Sequence, residues 1–347
     1  MSTETFKSKI IEADDSLDAV EELAHARGWT DGLPIIPPTE DRVSQAVKAS
    51  GLPGDRVVAE LPPRDGVATV EKIAINCVMA GCRPEYMPVL IAAVEAMAAP
   101  EFNLHGIQST TNPVGPMVIV NGPIRTALGM NGGRNCLGPG NRANASIGRA
   151  VRLILLNVGG GVPDTVDKAV QGYPGKYIAC TPENEEDSPW EPLHVERGFK
   201  KEDSAVTVIG AQGTTNCVTA VLTDINHMLL FMADAMSYMS SNNVIIARGE
   251  PLMVLTTGHA KLCAEKGMSK ADVKRILWET AGFPIPKMPP VMRRERIKRL
   301  EHNGLIKPCG KPEEIMIVVA GGPEPFHCTF IPTFGDTVAV TRRISAT

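Results

Sequence analysis

The sequence is poor in aromatic side chains and has no excess of basic charge. Phe, Trp and Tyr make up 4% of its 347 residues, and 35 Lys and Arg residues stand against 39 Asp and Glu residues. Nucleic-acid binding relies on clustered cations for the phosphates and on aromatic rings that stack on bases. The composition therefore argues against a nucleic-acid partner. The basic run at residues 293–299 is predicted to be the solvated face of a short helix.

Long apolar runs and a secretion signal are also lacking. No stretch approaches the ~18 apolar residues of a membrane-spanning helix, and the N-terminal segment MSTETFKSKIIEADDS is polar and acidic. The 8 cysteines are dispersed through the chain, which favours reduced thiols over a disulfide framework. We therefore expect a cytoplasmic protein that makes no membrane contact.

Alternating helix and strand patterns predict an α/β fold. Helical spacing of apolar residues precedes Gly28, and Thr39 is placed to cap a second helix. Three strand-like runs end in glycine turns, namely PMVIVNGPI (116–124), PLMVLTTGHA (251–260) and IMIVVAGGPEP (315–325). Helices are predicted to follow the first two runs, and Ser269 with Asp272 matches a capping box.

A repeated heptapeptide indicates internal duplication. GIQSTTN at residues 106–112 returns as GAQGTTN at residues 210–216, and the two strand-to-helix units follow the same order. We expect two related α/β halves in which the heptapeptides occupy equivalent positions. The predicted organisation is an N-terminal helical arm (1–66), a first half (67–171), a linker or lid (172–204), a second half (205–285) and a C-terminal helix with strands (286–347).

The heptapeptides supply neutral hydrogen-bonding groups on glycine-flanked loops. Such groups can bind a carboxylate or an amide, although the same residues also serve simply to cap helices or form turns. The candidate ligand-binding residues in the two copies are Gln108, Thr110, Thr111, Asn112, Gln212, Thr214, Thr215 and Asn216.

The stretch GMNGGRNCLGPGNRANAS, residues 129–146, is called the glycine-rich segment below. Its arginines and asparagines alternate with glycines ahead of a predicted helix, a combination that can bind an anion through Arg134, Asn141 and Arg142. The alternative is a surface loop rich in turn residues. Neither a P-loop nor a dinucleotide-binding pattern is matched, so the sequence assigns no cofactor.

Cysteine and histidine residues near these loops could carry chemistry. Cys136 lies inside the glycine-rich segment, where neighbouring arginines and a helix N-terminus would lower its pKa. Cys328 is the alternative nucleophile or redox thiol, with His259 or His327 as the base. A second hypothesis is a metal-dependent lyase or hydratase that uses His105, His259 and His327. A third is a non-catalytic subunit that binds a ligand or presents it to a partner.

Four phrases together resemble a family of bacterial proteins of about this length: DGLPIIPPTEDRV, NCVMAGCRPEYMPVL, GPGNRANASIGRAVRLIL and SPWEPLHVERG. The resemblance runs from about Trp29 to the C-terminus and supplies no catalytic residue, because the family motif carries no assigned role. The resemblance also implies that such proteins accompany a small thiol or selenol protein with a U/C-Gly-Ser-Cys motif. This context implies thiol or redox-linked chemistry.

The leading hypothesis is thus a cytoplasmic enzyme that acts on a small anionic or amide-bearing metabolite through a nucleophilic or redox thiol. Its site would lie between the glycine-rich segment and the two heptapeptide loops. Because each half looks incomplete alone, we expect a homo-oligomer or a complex with a small partner protein.

Overall fold

The computed structural model describes residues 6–246, 249–292 and 300–345. The helices are Leu17–Ala26 (α1), Glu40–Ala49 (α2), Val70–Met79 (α3), Met87–Met97 (α4), Leu104–Ser109 (α5), Ile124–Ala127 (α6), Arg142–Asn157 (α7), Leu193–Glu196 (α8), Ile225–Ala235 (α9), Asn242–Ile245 (α10), Thr257–Glu265 (α11) and Lys270–Thr280 (α12). The strands are Val57–Leu61 (β1), Gly66–Thr69 (β2), Gly115–Asn121 (β3), Cys180–Pro182 (β4), Ala205–Ala211 (β5), Thr215–Val218 (β6), Leu252–Leu255 (β7), Phe283–Pro284 (β8), Glu301–His302 (β9), Leu305–Ile306 (β10), Met316–Val319 (β11), His327–Ile331 (β12) and Val340–Arg343 (β13). The basic run at residues 293–299 lies outside the described residues.

Local sequence explains where the main helices begin. Ser16, Thr69 and Asn141 each accept a backbone N–H with the side chain at the N-cap of α1, α3 and α7. Ser269 and Asp272 form the predicted capping box of α12. The N-terminal arm also contains β1, which pairs antiparallel with β2 at the boundary of the arm, and the helical interpretation of residues 1–66 did not include this pair.

Two four-stranded sheets form the centre of the fold. Sheet 1 has the order β4-β3-β5-β13 and sheet 2 the order β11-β7-β12-β6. In each sheet the first pair is parallel and the other two pairs are antiparallel. Helices α6 and α7 connect the parallel strands of sheet 1, and α11 and α12 lie between those of sheet 2. The shared order and directions are what a duplicated α/β unit would produce.

Each sheet takes its last strand from the chain segment that builds the other sheet. After β5 the chain crosses to form β6 in sheet 2, and after β12 it crosses to form β13 in sheet 1. The crossing segments pair at Ala211 and Thr333, where Gln212 N donates to Pro332 O at 2.9 Å. The halves bounded at 67–171 and 205–285 stay a prediction, and both sheets draw strands from outside those ranges.

The two sheets pack face to face between two helical layers. Met117 of β3 and Leu252 of β7 share one buried cluster between the sheets. Their neighbours point the other way, as alternation along a strand requires. Val118 packs with α3, α4 and α7, whereas Met253 packs with α9 and α12. This arrangement of helices and mixed sheets confirms the predicted α/β class.

The two heptapeptides do not occupy equivalent positions, so that prediction is wrong. Residues 106–109 belong to α5, whereas Gly210 lies in β5 opposite Pro116. The flanking residues decide the difference, because Asn103 caps α5 by accepting from Gly106 N, and no such cap precedes Gly210 in the extended strand.

The segment predicted to be a polar linker or lid, residues 172–204, contributes to the core. Its strand β4 is buried and pairs with β3, and the side chains of Glu183 and His194 are 0% exposed. The polar composition of this segment does not keep it out of the core, because the buried carboxylate of Glu183 is satisfied by three neutral donors.

No single helix among the described residues is long and apolar enough to cross a membrane. The segments Pro84–Met97 and Pro100–Ser109 meet that test only jointly, and they are bent by 76° relative to each other.

Candidate functional site

The carboxyl ends of the four parallel strands lie at one end of the paired sheets. Loops from both sheets are in contact there, since Asn184 N donates to Val319 O at 2.7 Å and Gly321 N to Gly132 O at 2.8 Å. In α/β proteins ligands bind outside the carboxyl ends of parallel strands. We therefore define this region as the carboxyl-end site. It comprises residues 121–125, 129–146, 183–194, 256–259 and 319–325.

A fully buried carboxylate, Glu183, anchors the carboxyl-end site. Its Oε2 accepts from Asn121 Nδ2 at 2.7 Å and from Leu193 N at 2.8 Å, and its Oε1 accepts from Val319 N at 3.3 Å. These donors come from the ends of β3 and β11 and the start of α8. Glu183 therefore fixes segments of both sheets around one charged group.

Two further carboxylates surround the buried guanidinium of Arg125. Glu185 Oε1 accepts from Gly122 N at 2.7 Å and lies 3.0 Å from Arg125 Nε. The terminal nitrogens of Arg125 donate to both oxygens of Glu186 at 3.1 and 3.2 Å, and these bonds lower the pKa of Glu186. Arg125 Nη1 also donates to the backbone carbonyl of Glu183 at 2.7 Å. The cluster thus holds three carboxylates and one guanidinium, which is an excess of negative charge.

His194 and Asn121 are the residues of this cluster that have polar atoms without a hydrogen-bond partner among the described residues. His194 Nδ1 lies 4.0 Å from Glu185 Oε1, and neither ring nitrogen has a hydrogen-bond partner among the described residues. Asn121 Oδ1, also buried, has no partner in the described part of the chain either. Buried polar atoms are almost always satisfied by protein, water or ligand, so these three atoms are the ones in this cluster that a water or a small polar ligand would satisfy.

His194 was not a predicted site residue, because it lies in the segment that the sequence assigned to a linker or lid. Glu183 directly follows the buried three-residue strand β4, and Glu185 and Glu186 come two and three residues later. Acidic residues at the end of a strand were the available signal. The backbone of α8 is held by the bond from Leu193 N to Glu183, which places His194 beside the cluster.

Cys136 lies in the glycine-rich segment but is not an activated thiol. It is buried between the sheets, and burial raises its pKa despite a hydrogen bond from Thr181. The predicted lowering is wrong because the arginines point elsewhere. Arg134 forms an exposed ion pair with Glu324, and Arg142 Nε donates to Gly81 O at 2.9 Å.

The anion pocket expected from the glycine-rich segment is filled by its own side chains. Asn141 Oδ1 accepts from Asn144 N at 3.0 Å, and Asn141 Nδ2 donates to Gly129 O at 2.8 Å. Asn144 in turn donates to Cys136 O at 3.0 Å. The helix N-terminus is therefore capped within the chain, and Asn141 serves as a cap.

His259 is enclosed by hydroxyl groups. Its Nδ1 lies 2.7 Å from Thr256 Oγ1 and its Nε2 lies 2.9 Å from Thr219 Oγ1, and burial lowers its pKa to about 4. Those hydroxyls also lie within bonding distance of the carbonyls of Glu324 and Pro325. Each hydroxyl has one hydrogen, so with a neutral imidazole one of them donates to the ring. Both ring nitrogens are thus bonded to threonine hydroxyls in a buried environment, and the role of His259 as a base stays a prediction.

Cys328 and His327 do not act as a pair. The exposed His327 Nδ1 lies 3.2 Å from Asn216 Oδ1, whereas Cys328 points to the opposite face of β12 into the core. A metal site of histidines is not formed either. His105 is exposed on α5, and no group of three His, Cys, Asp or Glu side chains within the described ranges could hold a metal ion.

The heptapeptide loops lie at the amino end of β3. Gly115 begins β3 and pairs with Ala211 at the end of β5, so the two loops meet there. Asn112 Oδ1 accepts from Gln212 Nε2 and from Asn242 Nδ2, both at 3.0 Å. The seven residues of β3 separate these loops from the glycine-rich segment by about 20 Å. The site expected between them is not formed.

The remaining heptapeptide residues have local roles. Buried Gln108 donates to Leu155 O at 3.4 Å, and Thr110 Oγ1 accepts from Asn112 N at 3.1 Å. Thr111 and Thr214 are exposed, and Thr215 and Asn216 lie on β6.

Comparison of the chain with protein-family models, with curated proteins and with solved structures gives no match. The carboxyl-end site is therefore interpreted from its own geometry.

Proposed function

We propose that this protein is a cytoplasmic enzyme that binds a small polar metabolite at the carboxyl-end site and transfers a proton through His194. The observation that supports this proposal is the buried imidazole with no hydrogen-bond partner among the described residues, 4.0 Å from Glu185. Histidine is the commonest general acid or base because its ordinary pKa lies near neutrality. The eight free cysteines agree with a reducing compartment.

Glu185 would orient and support the imidazole. The carboxylate favours the tautomer with a hydrogen on Nδ1, which leaves the Nε2 lone pair to take a proton from the substrate. Once both nitrogens are protonated, the negative charge of Glu185 stabilises the imidazolium. Glu185 is itself held by Gly122 N and Arg125, so its position is fixed before substrate binds.

The sequence predicts either an anionic or an amide-bearing substrate, and the charge of the site favours one of these two classes. Glu185 and Glu186 already pair with the single guanidinium, and the nearby Glu183 carboxylate adds further negative charge, so a free anion would be repelled. An amide or another neutral group that both donates and accepts can satisfy His194 and Asn121 Oδ1. The amide-bearing metabolite is therefore the favoured class.

Thiol chemistry at Cys136 is less favoured, because burial raises the pKa of this cysteine.

We also propose that the chain forms a homo-oligomer or binds a small partner protein. Exposed apolar side chains beside β6, the edge strand of sheet 2, support this proposal: Val218, Val221, Leu230, Phe231 and Phe326.

The test is metabolite depletion by full-length protein in a small-molecule extract, followed by mass spectrometry. We expect His194→Asn to slow depletion of the affected metabolite by about 10²–10⁴-fold, the usual contribution of a general acid or base. His227→Asn, at an exposed histidine on α9, is the matched control and should leave the rate unchanged.

Two results would contradict the proposal. Depletion by His194→Asn at the parent rate would remove His194 from the chemistry. A parent protein that binds a metabolite in the extract without consuming any would indicate the non-catalytic binding subunit instead.

A further inference from the structure

Cys217 and Cys328 lie directly opposite each other on β6 and β12. Opposite residues on antiparallel neighbours have side chains on the same face and Cα atoms about 4.5–5.5 Å apart. Disulfides form between Cα atoms about 4.4–6.8 Å apart, so this register suits a disulfide without moving the backbone. Both side chains belong to the buried cluster between sheet 2 and α9.

The two thiols differ in acidity. A hydrogen bond from Cys328 lowers the pKa of Cys217, although burial opposes this effect. The same bond, together with burial, raises the pKa of Cys328. The hydrogen bond between the two sulfurs therefore favours a single thiolate that is stabilised by the proton kept on the other sulfur. A dithiol with one acidic member is the arrangement found where a thiolate attacks and a second thiol resolves.

The position of Cys217 also provides a route to solvent. β6 is the edge strand of sheet 2, and the neighbours of Cys217, Asn216 and Val218, are exposed. Edge strands open locally at less cost than central strands. Opening of β6 alone would uncover Cys217 while β12 stays paired with β7.

We propose that Cys217 and Cys328 are a redox-active dithiol that exchanges with a low-molecular-weight disulfide. The Cys217 thiolate attacks one sulfur of the disulfide, so that a mixed disulfide forms and one small thiolate leaves. Cys328 then gives its proton to the departing second thiolate as its sulfur attacks Cys217. The products are a Cys217–Cys328 bond, one small thiolate and one small thiol, and the two electrons have passed from the protein to the small disulfide. This dithiol shares no residue with the carboxyl-end site and does not depend on the function proposed there.

The experiment treats native full-length protein with glutathione disulfide, quenches by alkylation and digests without reduction. We expect a peptide pair joined through Cys217 and Cys328 that dithiothreitol separates. Cys328→Ser should instead accumulate a glutathione adduct on Cys217, because the resolving thiol is missing. Cys217→Ser should form adducts at Cys328 on the order of tenfold more slowly than that, since the thiol on the edge strand is gone and Cys328 lies on an inner strand.

Controls come from other buried cysteines. Cys77 and Cys82 are a second adjacent pair in the helical layer, where the bond to Cys82 and burial raise the pKa of Cys77. They should remain reduced under the same exposure. Cys263→Ser, at a buried cysteine of α11, should react like the parent.

The proposal is overturned if native protein yields no Cys217–Cys328 peptide pair and Cys328→Ser carries no adduct. It is also overturned if cross-links join Cys77 to Cys82 to the same extent, because the exchange would then be unselective. His194→Asn should form the disulfide like the parent, so failure of this proposal and failure of the proposed enzyme are distinguishable.

Discussion

At the scale of single residues, the burial of His259 makes the unfolding free energy of the protein depend on pH. Burial lowers its pKa in the folded protein to about 4, against 6.5 for an ordinary histidine. Between these values the unfolded chain binds a proton that the folded protein does not. Neutral His259 therefore contributes stability that is complete above pH 6.5 and is lost as the pH falls toward 4. The loss amounts to at most about 3 kcal/mol of unfolding free energy.

The measurement is urea unfolding of the parent and of His259→Gln between about pH 7.5 and pH 4.5. We expect the parent to lose more stability over this range than the variant, because glutamine does not titrate. His227→Gln, at an exposed position, should keep the parent profile. Parallel profiles for parent and His259→Gln would show that the imidazole is not held neutral.

Cys136 and His194 show what the sequence could establish about the site and what it could not. Spacing located a cysteine among arginines, but acidity depends on where Arg134 and Arg142 point, and their partners are Glu324 and the carbonyl of Gly81. His194 became a candidate only when its environment was known. Burial and missing partners are properties of the folded chain, so residue type and spacing do not reveal them.

At the scale of elements, the start of α7 provides a test of the glycine-rich segment. Asn141 caps this helix through Asn144 N and also donates to Gly129 O. We expect Asn141→Ala to lower the unfolding free energy by about 1–2 kcal/mol, measured by urea unfolding, because an N-cap and a loop contact are lost together. Asn141→Ser keeps a capping oxygen and should lose less.

Asn226→Ala is a second control, because this exposed side chain of α9 bonds only locally to Asp224. Its effect should stay within about 0.5 kcal/mol. If Asn141→Ala is as stable as the parent, the side chain is not needed as a cap, and the ligand-binding role expected from the sequence regains support.

Elements with strong local signals were predictable, and those defined by distant contacts were not. The helices α1, α7 and α12 follow from apolar spacing and capping residues, and β3, β7 and β11 follow from short apolar runs. Strand β4 has only three residues, and the polar residues around it leave no strand-like pattern in the sequence. Its burial depends on Glu183 meeting donors from β3, α8 and β11, which no local pattern contains.

At the scale of the whole molecule, the exchange of β6 and β13 joins the two sheets. If the chain segment that forms most of sheet 1 unfolds, sheet 2 also loses strand β6. If the segment that forms most of sheet 2 unfolds, sheet 1 also loses strand β13. The crossing segments pair at Ala211 and Thr333, and Thr333 N also donates to Asn243 Oδ1 of α10 at 2.9 Å. The buried cluster between the sheets adds a shared apolar core. The repeated heptapeptide and the repeated strand-to-helix order indicated duplication. Strand exchange depends on pairing between residues far apart in sequence, which these local patterns do not predict.

This interleaving predicts that the protein unfolds as one cooperative unit, although a chain of 347 residues could hold two independent domains. Tryptophans report on both helical layers, since Trp29 packs on the sheet 1 side and Trp278 on the sheet 2 side. One variant keeps only Trp29, through Trp190→Phe and Trp278→Phe, and the other keeps only Trp278, through Trp29→Phe and Trp190→Phe.

Urea unfolding followed by fluorescence should give the same midpoint and the same m value for both single-tryptophan variants. Far-ultraviolet circular dichroism of each variant should coincide with its fluorescence, which controls for any effect of the phenylalanine substitutions on stability. Two independent halves would each expose only part of the total surface, so each probe would report a smaller m value and its own midpoint. Separate transitions would show that β6 and β13 do not couple the sheets energetically, whereas coincident transitions would show that strand exchange makes one folding unit from two sheets of the same topology.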